Sequence, residues 1–282
     1  MNQIETENLE VELLVEAIVR RYGYDFRHYS RASLKRRMNH FLSKTEYGKL
    51  SEMIHKVLYD RSFFDALLYG ISVPVTEMFR DPGVYRAIRE KVVGTLKTYP
   101  FIKVWHAGCA TGEEAYSLAI LLKEEGLYDR TRIYATDFND EALDTAKKGI
   151  YPVDRIKEYT DNYQKSGGRD SFSRYYHSRY GSAIMNQDLK KNIVFANHNL
   201  ASDAVFGETH FVMCRNVLIY FDRPLQNRAL KLFHDSLVYK GFLCLGTKES
   251  LRFSDFQERF SVVDRNGKIY RKLETRCVNG EE

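Results

Sequence analysis

The sequence predicts an α/β protein in which a doubly wound, mostly parallel sheet with an antiparallel last strand follows a small all-helical domain. Three observations lead to this prediction. Residues 1–72 show helical periodicity without strand-like alternation, and from Lys103 onward short β-prone runs alternate with helical stretches. Near the C-terminus, an Asn-Gly pair separates two further β-prone runs, which is a strong signal for a β-hairpin.

The N-terminal residues contain three stretches with a helical spacing of apolar side chains, ENLEVELLVEAIVRRYG, LSEMIHKVLYD and SFFDALLYGI. Apolar residues at this spacing give each helix one face that can be buried. We therefore predict an all-helical domain over 1–72, followed by a linker and a helix over 73–100.

The rest of the chain, residues 101–282, is predicted to be one α/β domain. Its β-prone runs are KVWHA, RIYATDF, NIVFAN, HFVMC and FLCLG. The helical stretches between them include EEAYSLAILLKEEG, DEALDTAKKG and LQNRALKLFHDSLVYK, the last of which extends to Lys240. Strands joined by helices form parallel sheets, which bind ligands at the carboxyl ends of their strands. The hairpin in SVVDRNGKIYRKL should place the last strand antiparallel to its neighbour.

Composition argues against several classes of protein. With 44% hydrophobic residues, a chain of 282 residues can bury a sizeable core. The start, MNQIETENLE, lacks the apolar core of a secretory signal, and no apolar run is long enough to cross a bilayer. The four cysteines lack CxxC spacing, so we expect reduced thiols rather than disulfides or a metal site. We expect a cytoplasmic protein without membrane insertion.

Positive charge is concentrated between Arg20 and Arg37, where seven residues are Lys or Arg and only Asp25 is acidic. Ser30 is the expected N-cap of a helix in this region. Its buried stripe should consist of Leu34, Met38, Phe41 and Leu42. The residues left to face outward are Arg36, Arg37 and His40. The cluster is either a solvated helix face or a docking surface for an acidic partner, formed by Arg31, Lys35, Arg36 and Arg37.

Residues 104–122, VWHAGCATGEEAYSLAILL, place two glycines between a strand and a helix. Such loops often bind phosphate, but this one lacks the Lys and Ser or Thr of a P-loop and the GxGxxG of a dinucleotide site. Glu113 and Glu114 would also repel a phosphate at the helix start. They suit a ligand with a positive charge or hydroxyl groups, and Asp137 at the end of the next strand is placed to bind ribose hydroxyls. Glu113 could instead be a first-turn acid that only favours the helix dipole.

Five motifs together resemble one family. They are VTEMFRDP (75–82), GCATGEEAYSLA (108–119), ATDFNDEALDTAKKGIYP (135–152), NHNL (197–200) and CRNVLIYFD (214–222). In this order, over nearly the whole chain, they resemble the CheR family of chemotaxis-receptor glutamate methyltransferases, which use S-adenosylmethionine (SAM). The resemblance implies a doubly wound SAM-methyltransferase sheet that carries a small inserted β subdomain.

The resemblance also implies the residues of a SAM site. The implied cofactor-binding positions are Thr76, Arg80, Glu114, Asp137, Asn199, Leu200, Asn216 and Val217. It places Arg80 and Tyr220 near the transferring methyl group as catalytic residues, and it implies S-adenosylhomocysteine as the product. A glutamate acceptor is already ionised at neutral pH, so the reaction needs no general base, and Arg80 and Tyr220 would position the acceptor.

Each of these roles has a structural alternative. Arg80 could bind the carboxylate of SAM, or form an ion pair between the domains. Tyr220 could be a core aromatic residue whose hydroxyl is satisfied within the protein. Asn216 could cap a strand end rather than contact an adenine edge.

The acceptor implied by the resemblance is a glutamate side chain of a chemotaxis receptor or a receptor-like signalling protein. The implied partner is the acidic, helical cytoplasmic domain of that protein. We expect a monomer that binds neither nucleic acid nor metal. Two alternatives stay open: a methyltransferase of the same fold that acts on another acceptor, and a non-catalytic, SAM-responsive signalling module.

The chain departs from the family pattern at two places. Pro74 stands where many members have an Asn, which removes one side-chain hydrogen bond to SAM. After the fifth strand, Gly246-Thr247-Lys248-Glu249-Ser250 replaces a Gly-His-Ser-Glu run, near the expected substrate entrance.

An insertion over 152–190 lies between the second and third strands of the predicted parallel sheet. In the family, this place holds a small antiparallel subdomain that in some members binds a receptor peptide. Here two short strands are predicted about Arg179–Ser182. Because the turn contains a single glycine, Gly181, we expect no tethering peptide to bind there.

Overall fold

The computed structural model describes residues 2–72 and 76–273. It divides into two compact units: a helical unit, Met1–Pro74 with Ile219–Gln226, and a sheet unit, Val75–Leu218 with Asn227–Glu282. Pro74, one of the two departures from the family pattern, lies outside the described residues, as does Cys277. Each unit is described by itself below.

Among the described residues of the helical unit, the N-terminal segment contributes four helices. They are α1 (Gln3–Tyr22), α2 (Arg31–Leu42), α3 (Leu50–Tyr59) and α4 (Arg61–Ile71). α1 begins with a capping box, in which the side chains of Asn2 and Glu5 each accept a hydrogen bond from the other's backbone N–H. The N-cap of α4 is Asp60, whose carboxylate accepts a hydrogen bond from Phe63 N at 3.1 Å. These caps are encoded locally, so they fix where the two helices begin.

The core of the helical unit lies between two helix pairs, with α1 packed against α3 and α2 against α4. Its most deeply buried side chains are Leu14, Ile18, Met38, Met53, Val57, Phe64 and Leu67. The segment Ile219–Gln226 joins the unit through a bridge between Tyr29 and Phe221 and a 2.7 Å hydrogen bond from Ser30 N to Tyr220 O. The prediction of an all-helical N-terminal part is confirmed.

The chain after residue 76 supplies the other helices and all named strands. The helices are α5 (Pro82–Lys91), α6 (Val93–Leu96), α7 (Glu113–Glu124), α8 (Asp140–Lys148), α9 (Ile156–Lys165), α10 (Gln187–Lys190) and α11 (Arg223–Ser236). The strands are β1 (Ile102–Ala107), β2 (Thr131–Asp137), β3 (Ile150–Pro152), β4 (Tyr176–Arg179), β5 (Ser182–Met185), β6 (Ile193–Asn197), β7 (Thr209–Cys214), β8 (Leu237–Leu245), β9 (Phe260–Asp264) and β10 (Ile269–Lys272). In the described residues they form one seven-stranded and one three-stranded sheet.

The strand order of the large sheet is β6-β2-β1-β7-β8-β10-β9. The pairs β6–β2, β2–β1, β1–β7 and β7–β8 are all parallel. From β1 the chain moves outward to β2 and β6, then returns to the other side of β1 with β7 and β8, so the order reverses between β1 and β7. Doubly wound sheets bind ligands at such a switch point, beyond the carboxyl ends of the strands.

The last two strands form the predicted hairpin. β10 pairs antiparallel with β9, with Ile269 opposite Asp264, and also antiparallel with β8, with Ile269 opposite Cys244. β10 is thus inserted between β8 and β9, and the prediction of an antiparallel last strand is confirmed.

One predicted boundary is wrong. The helical stretch expected to reach Lys240 ends at Ser236, and Leu237 already pairs with Thr209 of β7. Leu-Val-Tyr is a β-prone run, and Lys240 adopts a left-handed backbone with φ 61° that a helix cannot accommodate. Pairing with β7 therefore overrides the helical spacing.

The insertion contains the smaller sheet, in the order β3-β5-β4 with antiparallel pairing. β4 and β5 are joined by Tyr180 and Gly181, both with positive φ (49° and 71°), which is the geometry of a type I′ hairpin turn. The two predicted strands about Arg179–Ser182 are present. The third strand, β3, was not predicted, because three residues are too few for a sequence pattern to show.

The described helices include none that is long and apolar enough to span a bilayer. Within 2–72 and 76–273, no group of three or more His, Cys, Asp or Glu side chains is arranged to hold a metal ion. Cys109, Cys214 and Cys244 are buried free thiols, and burial raises the pKa of each above its usual range.

A buried ionic cluster lies at the C-terminal end of α7. The side chain of Arg89, 8% exposed, pairs with Glu124 and, at 3.1 Å, with Glu125. Glu124 also accepts hydrogen bonds from the hydroxyls of Tyr163 and Tyr175. The cluster connects α5 and α7 with the insertion. Glu125 also pairs with Arg169 at 2.7 Å and with Lys97 at 3.4 Å, so Glu124 is the carboxylate that relies on Arg89 for charge balance.

Replacing Arg89 with Met should lower the free energy of unfolding of the sheet unit by about 3–5 kcal/mol, because the buried carboxylate of Glu124 loses its cation. Urea unfolding followed by the fluorescence of Trp105, the single and fully buried tryptophan, would measure this. Lys147→Met, which breaks an exposed pair with Asp144, is the control and should cost less than about 1 kcal/mol. Equal losses for the two variants would contradict the prediction.

Candidate active site

The loop after β1 is held tightly against the end of β2. Gly108 N and Cys109 N both donate to Thr136 O, at 2.8 and 2.9 Å. Gly108 has φ 75°, and a Cβ built there would lie 2.3 Å from Val217 Cγ2. Glycine is therefore required for both the backbone conformation and the close approach of the chain that follows β7.

Glu114 is buried at the start of α7, where it has a cation as its partner. Its Oε1 accepts a hydrogen bond from Arg215 Nη1 and lies 3.4 Å from the hydroxyl of Tyr85, whereas Oε2 lies 3.6 Å from His106 Nε2. Burial tends to raise the pKa of Glu114, but Arg215 and His106 lower it, and the net pKa is below the usual value. Glu114 is therefore a buried, ionised acceptor at the start of α7.

Sequence reasoning missed Arg215, although it lies within the CRNV motif. It follows β7, its side chain is 0% exposed, and it contacts both Glu114 and Asp81. A charged residue directly after the apolar strand THFVMC was the available signal, because a buried arginine needs anionic partners. Nothing in the local sequence identified those partners.

Asp137 ends β2 and faces the loop after β1. Its Oδ2 accepts a hydrogen bond from Ala110 N at 2.9 Å, and its Oδ1 accepts one from Asn139 N at 3.0 Å. Burial raises the pKa of Asp137, although these backbone donors partly offset the effect. The carboxylate is thus fixed in direction at the carboxyl edge of the sheet.

Asn216 and Val217 lie after β7, at the switch point. Asn216 has φ 60°, and its N–H donates to Glu249 Oε2 at 3.1 Å, which also accepts from Gly246 N at 2.6 Å. Asn216 Oδ1 is buried and has no hydrogen-bond partner among the described residues. A buried acceptor without a donor is a site that a ligand amino group can satisfy. Glu249 belongs to the run after the fifth strand that departs from the family pattern, and it holds the backbone of Asn216 in place.

Arg80 and Thr76 are half-buried in the segment before α5. Arg80 influences the pKa of the carboxyls of Glu77 and Glu114, yet within the described chain its guanidinium has no hydrogen bond and no ion pair. Its backbone oxygen accepts a 3.0 Å hydrogen bond from Arg215 Nη1. The segment is held by its backbone while the Arg80 side chain stays available.

Asn199 and Leu200 follow β6. Asn199 N donates to Asp203 Oδ2 at 2.9 Å, and Asn199 Oδ1 accepts from Ala201 N at 2.9 Å. Leu200 is buried, and its carbonyl accepts a hydrogen bond from Arg228 Nε at 3.3 Å. These residues form a compact turn at the carboxyl edge of the outermost parallel strand.

The chemistry of these side chains fits SAM. Ionised Glu114, the fixed carboxylate of Asp137 and the unpaired oxygen of Asn216 follow β1, β2 and β7, which are adjacent strands of the sheet. Carboxylates suit the ribose hydroxyls and positive charges of SAM, and the amide suits an adenine amino group. Asp137 contacts the β1 loop, and Val217 packs on Gly108, so these positions belong to one connected edge.

Tyr220 belongs by its contacts to the helical unit. Its backbone oxygen accepts from Ser30 N, and its ring lies 4.2 Å from the guanidinium carbon of Arg37. Arg37 also donates to Ile71 O and is half-buried. The expectation that Arg37 faces outward is therefore wrong, because its guanidinium holds parts of its own unit together.

The other residues of the basic cluster differ in whether their charges are already paired within the unit. Arg31 pairs with Glu12, and Lys35 pairs with Glu7 at 2.8 Å. Arg36 is exposed and has no ion-pair partner among the described residues. The predicted stripe is buried only at Leu34 and Met38, whereas Phe41 and Leu42 are half-buried. Much of the positive charge in the cluster is thus neutralised within the unit.

Glu113 differs from its neighbour Glu114. It is 6% exposed and accepts a 2.6 Å hydrogen bond from the Thr111 hydroxyl. Burial raises the pKa of Glu113 to about 7, although the Thr111 hydrogen bond and nearby Arg155 act in the opposite direction. Its burial and raised pKa go beyond the role of a first-turn acid that the sequence suggested.

Glu113 should make the stability of the sheet unit depend on pH. Because its pKa is higher in the folded state than in the unfolded chain, the folded state binds more protons between about pH 4.5 and 7, and stability falls across this window as pH rises. Glu113→Gln removes this loss, so its stability relative to the wild type should rise by up to about 3 kcal/mol from pH 5 to 8. Urea unfolding across this range tests it, and a constant difference would contradict it.

Comparison with known proteins agrees with this geometry. The model for the CheR methyltransferase SAM-binding domain matches residues 74–269, and the model for the CheR all-alpha domain matches residues 9–72. A Pseudomonas putida protein, named as the methyltransferase Cher3, is 52% identical over 265 residues. The match covers 94% of this chain and 97% of that protein.

More distant relatives carry a more specific name. The chemotaxis protein methyltransferase 2 of Pseudomonas aeruginosa is 30% identical, over 79% of this chain and 77% of that protein. The chemotaxis protein methyltransferase of Listeria innocua is 28% identical, over 83% of this chain and 87% of that protein. Together with the site at the switch point, these matches show that the chain belongs to the CheR family of SAM-dependent methyltransferases.

Proposed function

We propose that the protein transfers the methyl group of SAM to glutamate side-chain carboxylates of a chemotaxis receptor or a receptor-like signalling protein. The observation that carries this proposal is Arg80, a half-buried guanidinium without an ion pair in the described chain, in the segment tied to Glu114 by Arg215. A half-buried, unpaired guanidinium favours a carboxylate as its ligand, because it can bind one with two parallel hydrogen bonds. The names of the chemotaxis relatives support the same class of acceptor.

The chemistry asks little of the protein beyond positioning. Bound SAM supplies an electrophilic methyl group, and a glutamate carboxylate is ionised at neutral pH, so no side chain has to remove a proton. Arg80 would orient the acceptor carboxylate or the carboxylate of the cofactor. Glu114 and Asp137 would accept hydrogen bonds from the cofactor, and their burial would limit the access of water. Tyr220 is proposed as a second positioning group on the basis of the family resemblance.

The proposed partner is an acidic, helical cytoplasmic domain of the receptor, bound by the basic face of α2. Arg36 is the best supported contact, because it is exposed and unpaired in the described chain. Arg31 and Lys35 would have to exchange Glu12 and Glu7 for acidic groups of the partner. Arg37 would contribute through its contact with the Tyr220 ring rather than as a free charge.

Labelled SAM and a receptor cytoplasmic fragment should give labelled receptor whose label is released as methanol by mild base, as expected for a carboxyl ester. Tyr220→Phe should lower kcat by roughly tenfold or more with SAM binding retained, because a positioned hydroxyl is lost. Tyr239→Phe, at a half-exposed tyrosine on β8, is the control and should behave as the wild type. Base-stable label would indicate another acceptor, and binding without turnover would indicate a non-catalytic module.

Arg36→Glu should raise the KM for the receptor about fivefold, or roughly 1 kcal/mol, and leave the affinity for S-adenosylhomocysteine unchanged. Lys56→Glu reverses an exposed charge on α3 of the same unit and is the matched control. Arg37 is avoided, because its reversal would also break the contacts with Ile71 and Tyr220. The docking proposal is wrong if both reversals change the KM equally, or if neither changes it.

A further inference from the structure

The guanidinium of Arg215 contacts two separate parts of the sheet unit, the segment before α5 and the start of α7. From the end of β7 it reaches Glu114 at the start of α7, Arg80 O at 3.0 Å, and Asp81 Oδ2 at 2.6 Å. Its side chain is 0% exposed, so water cannot replace any of these partners. One side chain therefore links two residues to which the cofactor site is assigned, Arg80 and Glu114.

The segment around Arg80 needs such a tether. Phe79 and Asp81, on either side of Arg80, both have left-handed backbones with φ 54° and 53°. Conformations of this kind cost about 1–3 kcal/mol each and persist only where the surroundings impose them. Arg215 binds the segment at Arg80 O and at the Asp81 side chain, and Ser117 Oγ accepts from Phe79 N at 2.8 Å.

Charge balance also makes the site depend on Arg215. Glu114 is buried, and without a cation it would bind a proton or leave an unpaired buried charge. Asp81, whose side chain is 39% exposed, can be solvated, so the pair with Glu114 is the one that depends on Arg215. The next residue, Asn216, has a left-handed backbone, and its N–H donates a hydrogen bond to Glu249.

We propose that Arg215 is a positioning residue for cofactor binding: its buried guanidinium holds the Arg80 segment in its strained conformation and keeps Glu114 ionised and correctly oriented. It acts through these two residues and is not itself a catalytic residue. The inference rests on the assignment of this site to SAM and is independent of which acceptor is methylated.

The test measures the affinity of the full chain for S-adenosylhomocysteine by calorimetry. Arg215→Met should weaken binding by roughly 30-fold or more, since the charge and all the donors are lost. Arg215→Lys keeps the charge but not the planar fork, and should recover binding to within about fivefold of the wild type. Asp81→Asn weakens the contacts of the Arg80 segment with Arg215 and Thr247, and it should weaken binding about fivefold with little change in urea midpoint.

Arg89→Met is the matched control. Arg89 is also a buried arginine with two carboxylate partners, but those partners lie at the opposite end of α7 from Glu114. A purely structural role predicts that both arginine variants lower stability and leave the affinity of the folded protein alone. Our proposal predicts an affinity loss for the Arg215 variants and a change within about twofold for Arg89→Met.

If Arg215→Met does not fold, the affinities of Arg215→Lys and Asp81→Asn test the positioning role of Arg215. Wild-type affinity in both of these folded variants would overturn the proposal. Because the ligand needs no methyl acceptor, this outcome is distinct from a failure of the glutamate substrate, which would leave these affinities unchanged.

Discussion

The site depends on a single electrostatic constraint, which is that a guanidinium buried at the end of a parallel strand must be neutralised by the protein. Arg215 meets this constraint with Glu114 and Asp81. Their hydrogen bonds draw the segment before α5, the start of α7 and the end of β7 together at the switch point of the sheet. The same contacts leave the side chain of Arg80 and the amide oxygen of Asn216 unpaired within the described chain. Structural pairing and ligand-binding capacity are therefore produced by one network.

Much of the fold follows from local sequence. Alternating β-prone and helical runs predict the doubly wound sheet, and the Asn-Gly pair predicts the hairpin that places β10. The glycine loop and its two glutamates indicate a ligand site without phosphate chemistry, because spacing and charge are both visible in one short stretch. The domain limits and the individual roles of the site residues stay predictions.

What the sequence could not show is long-range. Glu114 and Arg215 are 101 positions apart, so no local pattern reveals that the acid expected to face a cationic ligand already has a cation beside it. The same limit explains Arg37, whose partners Ile71 and Tyr220 are remote, and Lys240, where pairing with β7 ends a helix that spacing alone would continue. Glu113 was assigned a weak role because its burial depends on the tertiary fold. In each case a tertiary contact that the sequence does not show decided the outcome.

Hydrogen exchange of the full chain, measured with and without S-adenosylhomocysteine, would show which backbone segments bind the cofactor. We expect slower exchange in the loop after β1, at the end of β2 and at residues 215–217 after β7, with α3 of the helical unit unchanged. Cofactor binding that leaves these three segments unprotected, or protects only segments elsewhere, would contradict this expectation.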